Sequence, residues 1–555
     1  MRKPRSIPFL WSMIPLLLVA AALRWGGVAW DGGIGAHPDE RYVVGIAEEM
    51  GRTGQMDPFG LDPHFSYGHL PLYLLALLGG EDRLFAARLL AGLFDSGTVA
   101  LAAALGRRLG GPRTGLLSGA FLAVMPLHVQ QAHFGVVDPF LAFFSSGSIL
   151  FAVRSAGSGR CGAAILAGAW AGLAASCKAS ALLLVLPLAA AWAIAPVSGT
   201  RRAARGLVTA GAALAAFAAA APFVLLRLPT FAAALAEQSA LVRGAALAPY
   251  TLQYHDTAPY LYPLGQLLAW GMGPVMGLLG LAGAGAAVWQ AAKGPLAAAE
   301  WVVLAWCIPF LAFVGGLFVK LPRYMLPLTP LLAVYGARAG EWLLNRRRWL
   351  GGTAAALSLL PGGVISLALI VSYNTPHPWV TTTAWVRENV PPGSTIAVEA
   401  WDHPLPLDPS GYQIYALPVL DPETAEKWAV IDRVLEETDV MIIASRRGYG
   451  ALANWPQRFP LAAAYYQELF SGERGFQVAA CFERWPRLGP LPLADDPLRA
   501  AGLVLPAPAC HPAAPFPPLP PLDESFVVYD HPLVIVMQRP VATCTAQAVK
   551  LKPRR

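Results

Sequence analysis

The chain has 555 residues, of which 55% are hydrophobic and only 14% are charged, and its mean hydropathy is +0.48. Charged residues make up about 25% of a typical soluble domain, so this composition excludes a soluble globular protein and indicates a polytopic membrane protein. The net charge of +7 does not indicate a nucleic-acid partner, because the basic residues form short clusters between apolar runs without interleaved aromatic residues.

Apolar runs long enough to cross a bilayer recur along the first two thirds of the chain. A membrane-spanning helix needs about 17 to 25 mainly apolar residues. By that criterion we predict about eleven spans, near 7–26, 83–105, 113–129, 135–153, 162–177, 179–197, 206–227, 263–290, 299–319, 322–340 and 349–372. The first run also suits a signal peptide, but no small-residue cleavage site follows it, so an uncleaved span is favoured.

The basic residues between the apolar runs indicate the orientation. If the N-terminus is cytoplasmic, the positive-inside rule places every basic cluster on the cytoplasmic side: Arg107, Arg108, Arg113, Arg154, Arg160, Arg201, Arg202, Arg205, Lys293, Arg346, Arg347 and Arg348. The segments that then lie on the outer face are the 27–82 loop, the 130–134 loop, the turn at Lys178, the 228–262 loop, the Lys320–Arg323 turn and everything after 373. We therefore predict a multi-pass protein of the plasma (inner) membrane with an extracytoplasmic C-terminal domain.

The long first loop contains one further apolar stretch, 67–79, which has only about 13 residues and is too short to span a bilayer. Counting it as a span would move Arg107, Arg108 and Arg113 to the outer face. We therefore predict an interfacial helix that lies on the outer membrane surface.

No apolar run of spanning length follows Tyr373, so we divide the chain into a membrane domain, 1–372, and a soluble domain, 373–555. Helical and alternating patterns in the second part predict a small α/β fold. The predicted elements are helices at 381–389 and 424–438, strands at 395–400, 440–444 and 475–481, a Pro-rich connection at 485–521, and a hairpin or adjacent strands at 526–529 and 533–538.

The six cysteines have no CxxC spacing and indicate neither a metal nor a haem framework. Cys481, Cys510 and Cys544 share the C-terminal region. The sequence allows one disulfide there without requiring it.

Two adjacent carboxylates, Asp39 and Glu40, follow the first span on the predicted outer face. A carboxylate beside a membrane cavity can act as general base on an acceptor hydroxyl, and its neighbour can orient the acceptor or raise the pKa of the base. The alternative interpretation is a pair of solvated loop acids.

A third carboxylate, Asp138, begins the fourth predicted span at the same level, after His128 and His133. An acid close to the Asp39–Glu40 pair suits a catalytic or sugar-binding cleft. The simpler alternative is that Asp138 is a solvated acid at the end of a helix. A lone histidine here is more typical of a hydrogen-bonded interfacial residue than of a metal ligand. No motif indicates a cofactor or a divalent metal.

Three cations lie on the same predicted face: Lys178 within an apolar turn, and Lys320 and Arg323 in the later Lys-Leu-Pro-Arg turn. A cation at such a depth is costly without a partner, although a lysine can also extend to the membrane surface. Arginine suits bidentate recognition of phosphate. Together these cations indicate a site for a lipid phosphate.

The His37-Pro-Asp-Glu40 loop, the His133-Phe-Gly-Val-Val-Asp138 loop, the Ser-Cys-Lys178-Ala-Ser turn and Arg323-Tyr-Met-Leu-Pro327 resemble a known family. They are similar to lipid-carrier-dependent membrane glycosyltransferases of the GT-C fold, in particular bacterial relatives of the family 39 dolichyl-phosphate-mannose protein mannosyltransferases and of the aminoarabinose transferase. The resemblance covers roughly residues 7–345.

The resemblance implies an inverting hexosyl or pentosyl transfer from a polyprenyl-phosphate donor to a glycan, lipid or protein hydroxyl at the outer face. It implies catalytic roles for Asp39, Glu40 and Asp138. It implies donor-phosphate binding by Lys178, Arg323 and, more weakly, Lys320. His37, His133 and Tyr324 are candidate acceptor-binding or sugar-binding residues.

A transporter or flippase of a lipid-linked or polar substrate is the main alternative, because intramembrane cations also suit a transport path. Transport predicts charges near the bilayer midplane and repeated halves. The polar groups here gather at one face and no internal repeat is evident, which favours the transferase. A polymerase or ligase that uses a lipid-diphosphate donor is a third hypothesis.

Overall fold

The computed structural model describes residues 9–78, 80, 82–400, 405–492, 502–504 and 521–540. The chain forms two compact units, described separately below. The first comprises Met1–His377, Arg484–Asp495 and Ala514–His531, and the second comprises Pro378–Glu483, Asp496–Ala513 and Pro532–Arg555. The chain therefore returns to the first unit after 483, whereas the sequence assigns all residues after 372 to one soluble domain.

The first unit is helical. Its helices are α1 (Phe9–Trp25), α2 (Pro38–Thr53), α3 (His69–Leu78), α4 (Arg83–Gly110), α5 (Pro112–Ala123), α6 (Pro126–Ala132), α7 (Asp138–Ser158), α8 (Cys161–Ala175), α9 (Val185–Ile194), α10 (Gly199–Ala220), α11 (Pro222–Leu226), α12 (Leu228–Val242), α13 (Leu261–Gln266), α14 (Pro274–Lys293), α15 (Ala298–Gly315), α16 (Thr329–Arg346) and α17 (Arg348–Tyr373). Single 3₁₀ turns at Ala179–Leu184, Pro249–Tyr254 and Pro322–Met325 join some of them.

Six segments of the described chain are long and apolar enough to cross a membrane. They are α4, α7, α10, α14, α15 and the segment Arg348–Asn389, which contains α17. Helices α1, α3, α8 and the stretch Ala179–Ile194 are apolar but shorter. The protein is thus a multi-pass membrane protein, while the count of eleven spans, the orientation of the termini and the choice of membrane stay predictions.

Proline interrupts three of the predicted spans, and one of them, 206–227, is divided into α10 and α11 at Pro222. The run 113–129 is divided into α5 and α6, because Pro126 lacks the amide that a continuous helix needs and instead begins a new one. The run 263–290 is divided into α13, a π-helical turn and α14, where Gly273 has a φ of 90° directly before Pro274. Helix α12 falls inside the stretch 228–262, which the sequence analysis treats as a loop.

Small residues let the helices of this unit approach closely. A Cβ atom at Gly168 or at Gly172 of α8 would lie 2.1 Å from a backbone oxygen of α10, that of Thr209 or of Ala213. Such contact is the usual means of helix association in membranes. It explains why the glycines are frequent in apolar helices of this chain.

The second unit contains a five-stranded mixed sheet with the order β2-β1-β3-β7-β4. The strands are β1 (Thr395–Glu399), β2 (Gln413–Leu417), β3 (Val440–Ile443), β4 (Gln477–Phe482) and β7 (Val534–Gln538), while the hairpin of β5 (Arg487–Leu488) and β6 (Leu491–Pro492) belongs to the first unit. The helices are α18 (Pro378–Asn389), α19 (Ala425–Glu436), α20 (Arg447–Leu452) and α21 (Pro460–Ser471). Strand β1 is parallel to β2 and β3, and β7 is antiparallel to β3 and β4.

The predicted α/β character of this unit is confirmed, as are its helices at 381–389 and 424–438 and four of its strands. The expected strand at 526–529 is wrong, because that segment follows a 3₁₀ turn, Glu524–Phe526, in the first unit. Strand β2 and helix α21 were not predicted. Most of the Pro-rich connection lies outside the described residues.

Cys481 is disulfide-bonded, whereas Cys510 and Cys544 lie outside the described residues. Cys161, Cys177 and Cys307 are free.

The stability of the second unit is expected to fall as the pH rises, because of Glu399 at the end of β1. Its Oε1 atom is buried, and burial raises the pKa of Glu399 to about 7 against the smaller opposing effect of Tyr466 and Tyr465. A carboxyl with a raised pKa stabilises the folded state fully only below its unfolded pKa. Between pH 4.5 and 8 the loss is about 3 kcal/mol.

Hydrogen exchange of the β1 amides in the full-length protein, after correction for the intrinsic pH effect, measures this loss. Glu399→Gln should remove the dependence, whereas Glu436→Gln, on the exposed face of α19, should keep it. An equal pH dependence in wild type and Glu399→Gln would contradict the prediction.

Candidate functional site

A polar cavity of about 70 Å³ lies in the first unit, where six parts of the chain meet. These are the start of α2, the segment before α3, the start of α7, the turn after α8, helix α12 and the Pro322–Met325 turn. The lining includes Asp39, Asp138, Lys178, Arg323 and Tyr324. The structure therefore brings together five of the residues selected from the sequence, which lie up to 285 positions apart.

Local sequence explains how both carboxylates come to face the cavity from a helix start. His37 caps α2, its Nδ1 accepting from the Glu40 amide at 3.5 Å, and Pro38 occupies the first turn beside Asp39. Asp138 occupies the first turn of α7, followed by Pro139. The positive end of a helix dipole stabilises an anion in that position.

The four charges of the cavity form two ion pairs. Arg323 Nη1 lies 2.6 Å from Asp39 Oδ2, and Lys178 Nζ donates to Asp138 Oδ1 at 2.8 Å. Lys178 Nζ also lies 4.6 Å from the ring centre of Tyr324. The Lys178 side chain is 32% exposed and that of Asp39 is 19% exposed, so a bound molecule can reach both pairs.

Arg323 has binding capacity left over. Its Nε atom is buried and has no hydrogen-bond partner among the described residues. A phosphate oxygen would satisfy this donor, because guanidinium groups bind phosphate through two adjacent N–H donors.

Asp39 is ionised at neutral pH. Burial alone would raise the pKa of Asp39, but the neighbouring positive charge, chiefly that of Arg323, outweighs burial and lowers the pKa to about 2. Tyr67 also hydrogen-bonds to Asp39. An ionised carboxylate is what a general base requires, and here it is held by a cation that can also bind another anion.

Glu40 does not face this cavity, although the sequence analysis made it the acidic partner of Asp39. It accepts from Arg88 Nη2 through Oε1 at 2.6 Å and from the Gly135 amide through Oε2 at 2.6 Å. Arg88 also donates to both oxygens of Asp31 at 2.8 Å. Successive residues on a helix point in different directions, so Glu40 joins a buried charge network behind Asp39.

Three other candidates also lie away from the cavity lining. Both ring nitrogens of His133 lie within hydrogen-bond distance of backbone carbonyls, 2.7 Å from Val129 O and 2.8 Å from Gly26 O. Lys320 Nζ donates to the Phe318 carbonyl at 2.9 Å. The His37 ring packs against aromatic neighbours, 4.6 Å from Phe134 and 4.3 Å from Tyr529 between ring centres.

The structure also adds residues that the sequence analysis missed. Tyr67, Ser66 and Gln238 line the cavity. Tyr67 lies in the predicted interfacial stretch, where a hydroxyl among apolar residues was an available signal. Gln238 belongs to α12, which lies in a stretch expected to be a loop. The sequence therefore could not place Gln238 in the cavity.

The part of the chain that returns to this unit also supports the site. Asp530 Oδ2 accepts from Tyr373 at 2.6 Å and from Gln130 at 3.0 Å, and Asp523 Oδ2 accepts from Tyr262 at 2.8 Å. These bonds join residues more than 150 positions apart, so no local sequence pattern predicts them.

A second cavity of about 170 Å³ adjoins the polar one and shares five lining residues with it. The shared residues are Ser66, Asp138, Lys178, Gln238 and Tyr324. The remaining lining is mainly apolar and includes Leu141, Leu235, Val242, Phe313 and Leu317. Charged groups thus meet an apolar space, as binding of an amphipathic lipid phosphate requires.

The described residues contain no cluster of three or more His, Cys, Asp or Glu side chains that could hold a metal ion. The expectation of no cofactor stays a prediction, and the sequence indicates no divalent metal without excluding one.

Comparison with known proteins gives one family match and several structural neighbours. The family model described as dolichyl-phosphate-mannose-protein mannosyltransferase matches residues 70–226. No curated protein sequence matches the chain. The oligosaccharyltransferase AglB from Archaeoglobus fulgidus, in complex with an inhibitory peptide and a dolichol-phosphate, is 14% identical, with a TM-score of 0.56 over 83% of this chain and 72% of that chain.

Two further structures are similar at equally low identity. An Archaeoglobus fulgidus oligosaccharyltransferase tethered with an acceptor peptide is 16% identical, with a TM-score of 0.53 over 87% of this chain and 74% of that chain. ArnT from Cupriavidus metallidurans bound to undecaprenyl phosphate is 16% identical, with a TM-score of 0.46 over 80% of this chain and 95% of that chain.

The protein is a multi-pass membrane protein with the GT-C fold, which lipid-carrier-dependent membrane glycosyltransferases share. The predicted fold class is thereby confirmed. Within this fold, the part of the chain that matches the mannosyltransferase family contains Asp138 and Lys178 but neither Asp39 nor Arg323.

Proposed function

We propose that this protein transfers a sugar from a polyprenyl-phosphate donor to an acceptor hydroxyl, with inversion at the anomeric carbon. The observation that carries the proposal is the polar cavity, in which Arg323 and Lys178 are each paired with a carboxylate beside an apolar cavity. The family match and the dolichol-phosphate bound by AglB support a lipid monophosphate as the carrier.

Donor binding would rearrange the two ion pairs. The donor phosphate meets Arg323 and Lys178, while the first isoprene units occupy the apolar cavity beside Leu141 and Phe313. A phosphate that takes over the charge of Arg323 weakens its hold on Asp39. The carboxylate then becomes more basic in the complex than in the free protein.

Sugar transfer can proceed once Arg323 holds Asp39 less tightly. Asp39 removes the proton from the acceptor hydroxyl as that oxygen attacks the anomeric carbon. The bond from that carbon to the phosphate oxygen breaks on the opposite face. The leaving polyprenyl phosphate gains negative charge, and Arg323 and Lys178 stabilise it where it forms.

The test is transfer of radiolabelled sugar by the full-length protein in lipid, with polyprenyl-monophosphate sugars compared with polyprenyl-diphosphate sugars. Turnover with a monophosphate donor supports the proposal. Turnover with diphosphate donors alone would replace it with oligosaccharide ligase or polymerase chemistry. Movement of a labelled lipid across the bilayer without any transfer would favour the flippase.

Removing the cations should weaken donor binding unequally. Arg323→Gln is expected to raise the KM for donor by about 10- to 100-fold, because charge-assisted hydrogen bonds contribute about 1.5–3 kcal/mol each. Lys178→Gln should have a smaller effect, because the Lys178 side chain is 32% exposed and solvent screens its charge. Steady-state kinetics with varied donor give both values.

Lys320→Gln is the matched control, since Lys320 is buried but bonds a carbonyl outside the cavity lining. A KM change for Lys320→Gln as large as that for Arg323→Gln would place the phosphate elsewhere.

A further inference from the structure

A groove with no role in the transfer site lies away from that site, on the membrane unit. Its volume is about 510 Å³, and it is bounded by α8, the Ala179–Leu184 turn, α9 and α10. Its lining is almost entirely apolar, with small residues such as Ala171, Ala175 and Ala213 at the floor and Leu188 beside them. It shares no lining residue with the two cavities of the site.

Arginines gather at one end of this groove. Trp192 and Gly206 line that end, and the Trp192 indole donates to the Arg202 carbonyl at 2.9 Å. Arg202 and Arg205 lie in the first two turns of α10. The exposed Trp192 ring is typical of a residue at the boundary between hydrocarbon and headgroups.

Arg205 carries an uncompensated buried charge. Its side chain is only 2% exposed, and its Nη2 donates to the carbonyl and the hydroxyl of Ser155 at 3.0 and 2.5 Å. Its Nε and Nη1 atoms, and the Nε of Arg202, are buried without a partner among the described residues. Burying a charge without a counter-ion is costly, so these donors lack the anion that would satisfy them.

The chain itself provides no such anion nearby. Residues 139–236 contain neither Asp nor Glu. Within this segment, Lys178 and Arg227 each form an ion pair with a carboxylate from outside it, whereas no described carboxylate pairs with Arg202 or Arg205. The positive-inside rule accounts for exposed arginines, but it does not account for a buried one.

We propose that this groove binds an anionic phospholipid, with an acyl chain along α8 and α10 and the phosphate at Arg202 and Arg205. The apolar floor matches hydrocarbon, and the guanidinium groups match a phosphate diester. Basic pockets between transmembrane helices bind anionic headgroups in this way. The site is independent of the transfer reaction proposed above.

Native mass spectrometry of the full-length protein, released from lipid and titrated with phosphatidylglycerol, tests the site. Wild type should retain phosphatidylglycerol in preference to phosphatidylcholine. Each of Arg202→Gln and Arg205→Gln should weaken retention roughly fivefold, because one basic residue contributes about 1 kcal/mol to binding an anionic lipid. Ala210→Trp, which fills the groove from an exposed lining position, should weaken it for both lipids.

Two control variants separate this site from general effects. Leu207→Trp changes a residue of α10 that is 75% exposed and outside the lining, and Arg113→Gln removes an exposed arginine elsewhere; both should bind phosphatidylglycerol as wild type does. Equal retention of the two lipids, or an equal loss in Arg113→Gln, would overturn the proposal. So would displacement of phosphatidylglycerol by undecaprenyl phosphate at lower concentration, or a dimer that Ala210→Trp dissociates.

Discussion

Replacing Asp39 by Asn is expected to lower kcat by about 10²- to 10⁴-fold, the usual contribution of a general base. The KM for donor should stay the same or fall, because Asp39 holds Arg323 at 2.6 Å in the free protein and its removal leaves Arg323 free for phosphate. Transfer assays in lipid, together with donor binding measured separately, give the two effects. A variant that loses donor binding as well as turnover would contradict the assigned role.

Asp256→Asn is the matched control for that experiment. Asp256 is 81% exposed and pairs only with its neighbour His255 among the described residues. The Asp256→Asn substitution changes the same chemical group outside the cavity. The variant should therefore transfer sugar at the wild-type rate.

The pH dependence of transfer provides an independent test of the same ion pair. In the free protein the pKa of Asp39 is about 2, so Asp39 should produce no acid limb in kcat/KM above about pH 4. In the donor complex the phosphate neutralises Arg323, the pKa of Asp39 rises, and kcat should fall at an acidic pH where kcat/KM does not. Identical acid limbs in both profiles would show that Arg323 does not move from carboxylate to phosphate.

The charged residues that line the polar cavity can be recognised in the sequence because they are unusual where they stand. A cation such as Lys178 in apolar sequence is expensive without a partner, and the carboxylates Asp39 and Asp138 stand beside prolines at helix starts. Such features are local. Tyr324 was found through its neighbour Arg323.

Contacts that depend on direction or on distant sequence could not be inferred in the same way. Glu40 follows Asp39 in the chain but points to Arg88, which the sequence shows only as one arginine in a predicted span. The hydrogen bond from Tyr373 to Asp530 joins residues that are 157 positions apart in the chain. Helix boundaries were missed for a third reason, since apolar composition continues through the breaks at Pro126 and Gly273.

Replacing Arg88 by Met should strongly destabilise the membrane unit. Arg88 is the sole described cation that bonds Asp31 and Glu40, both of which have fully buried side chains. Burial alone would raise the pKa of Asp31, but Arg88 outweighs burial and holds that pKa below its usual range. Without Arg88 two buried carboxylates lose their counter-ion, and breaking a buried pair in this way costs about 3–5 kcal/mol.

The same substitution should also impair transfer, because the network supports both acids of the cavity. Glu40 follows Asp39 at the start of α2, and its bond to the Gly135 amide fixes the segment that leads into Asp138. A lower thermal unfolding temperature of the purified protein, with a lower kcat, is the expected result. Arg83→Met is the control, because Arg83 lies on the same helix but has no ion pair to a described residue. This variant should change the unfolding temperature and kcat only slightly.

A rescue variant distinguishes lost charge balance from lost packing. Adding Asp31→Asn and Glu40→Gln to Arg88→Met removes the unpaired charges while keeping side chains of similar size, so thermal stability should recover most of the loss. Turnover should recover less, because the amides cannot restore the charge-assisted bond to Gly135 that orients the cavity. If the triple variant is no more stable than Arg88→Met, the contribution of Arg88 is its packing against Trp30, whose ring centre lies 4.7 Å away, and not its charge.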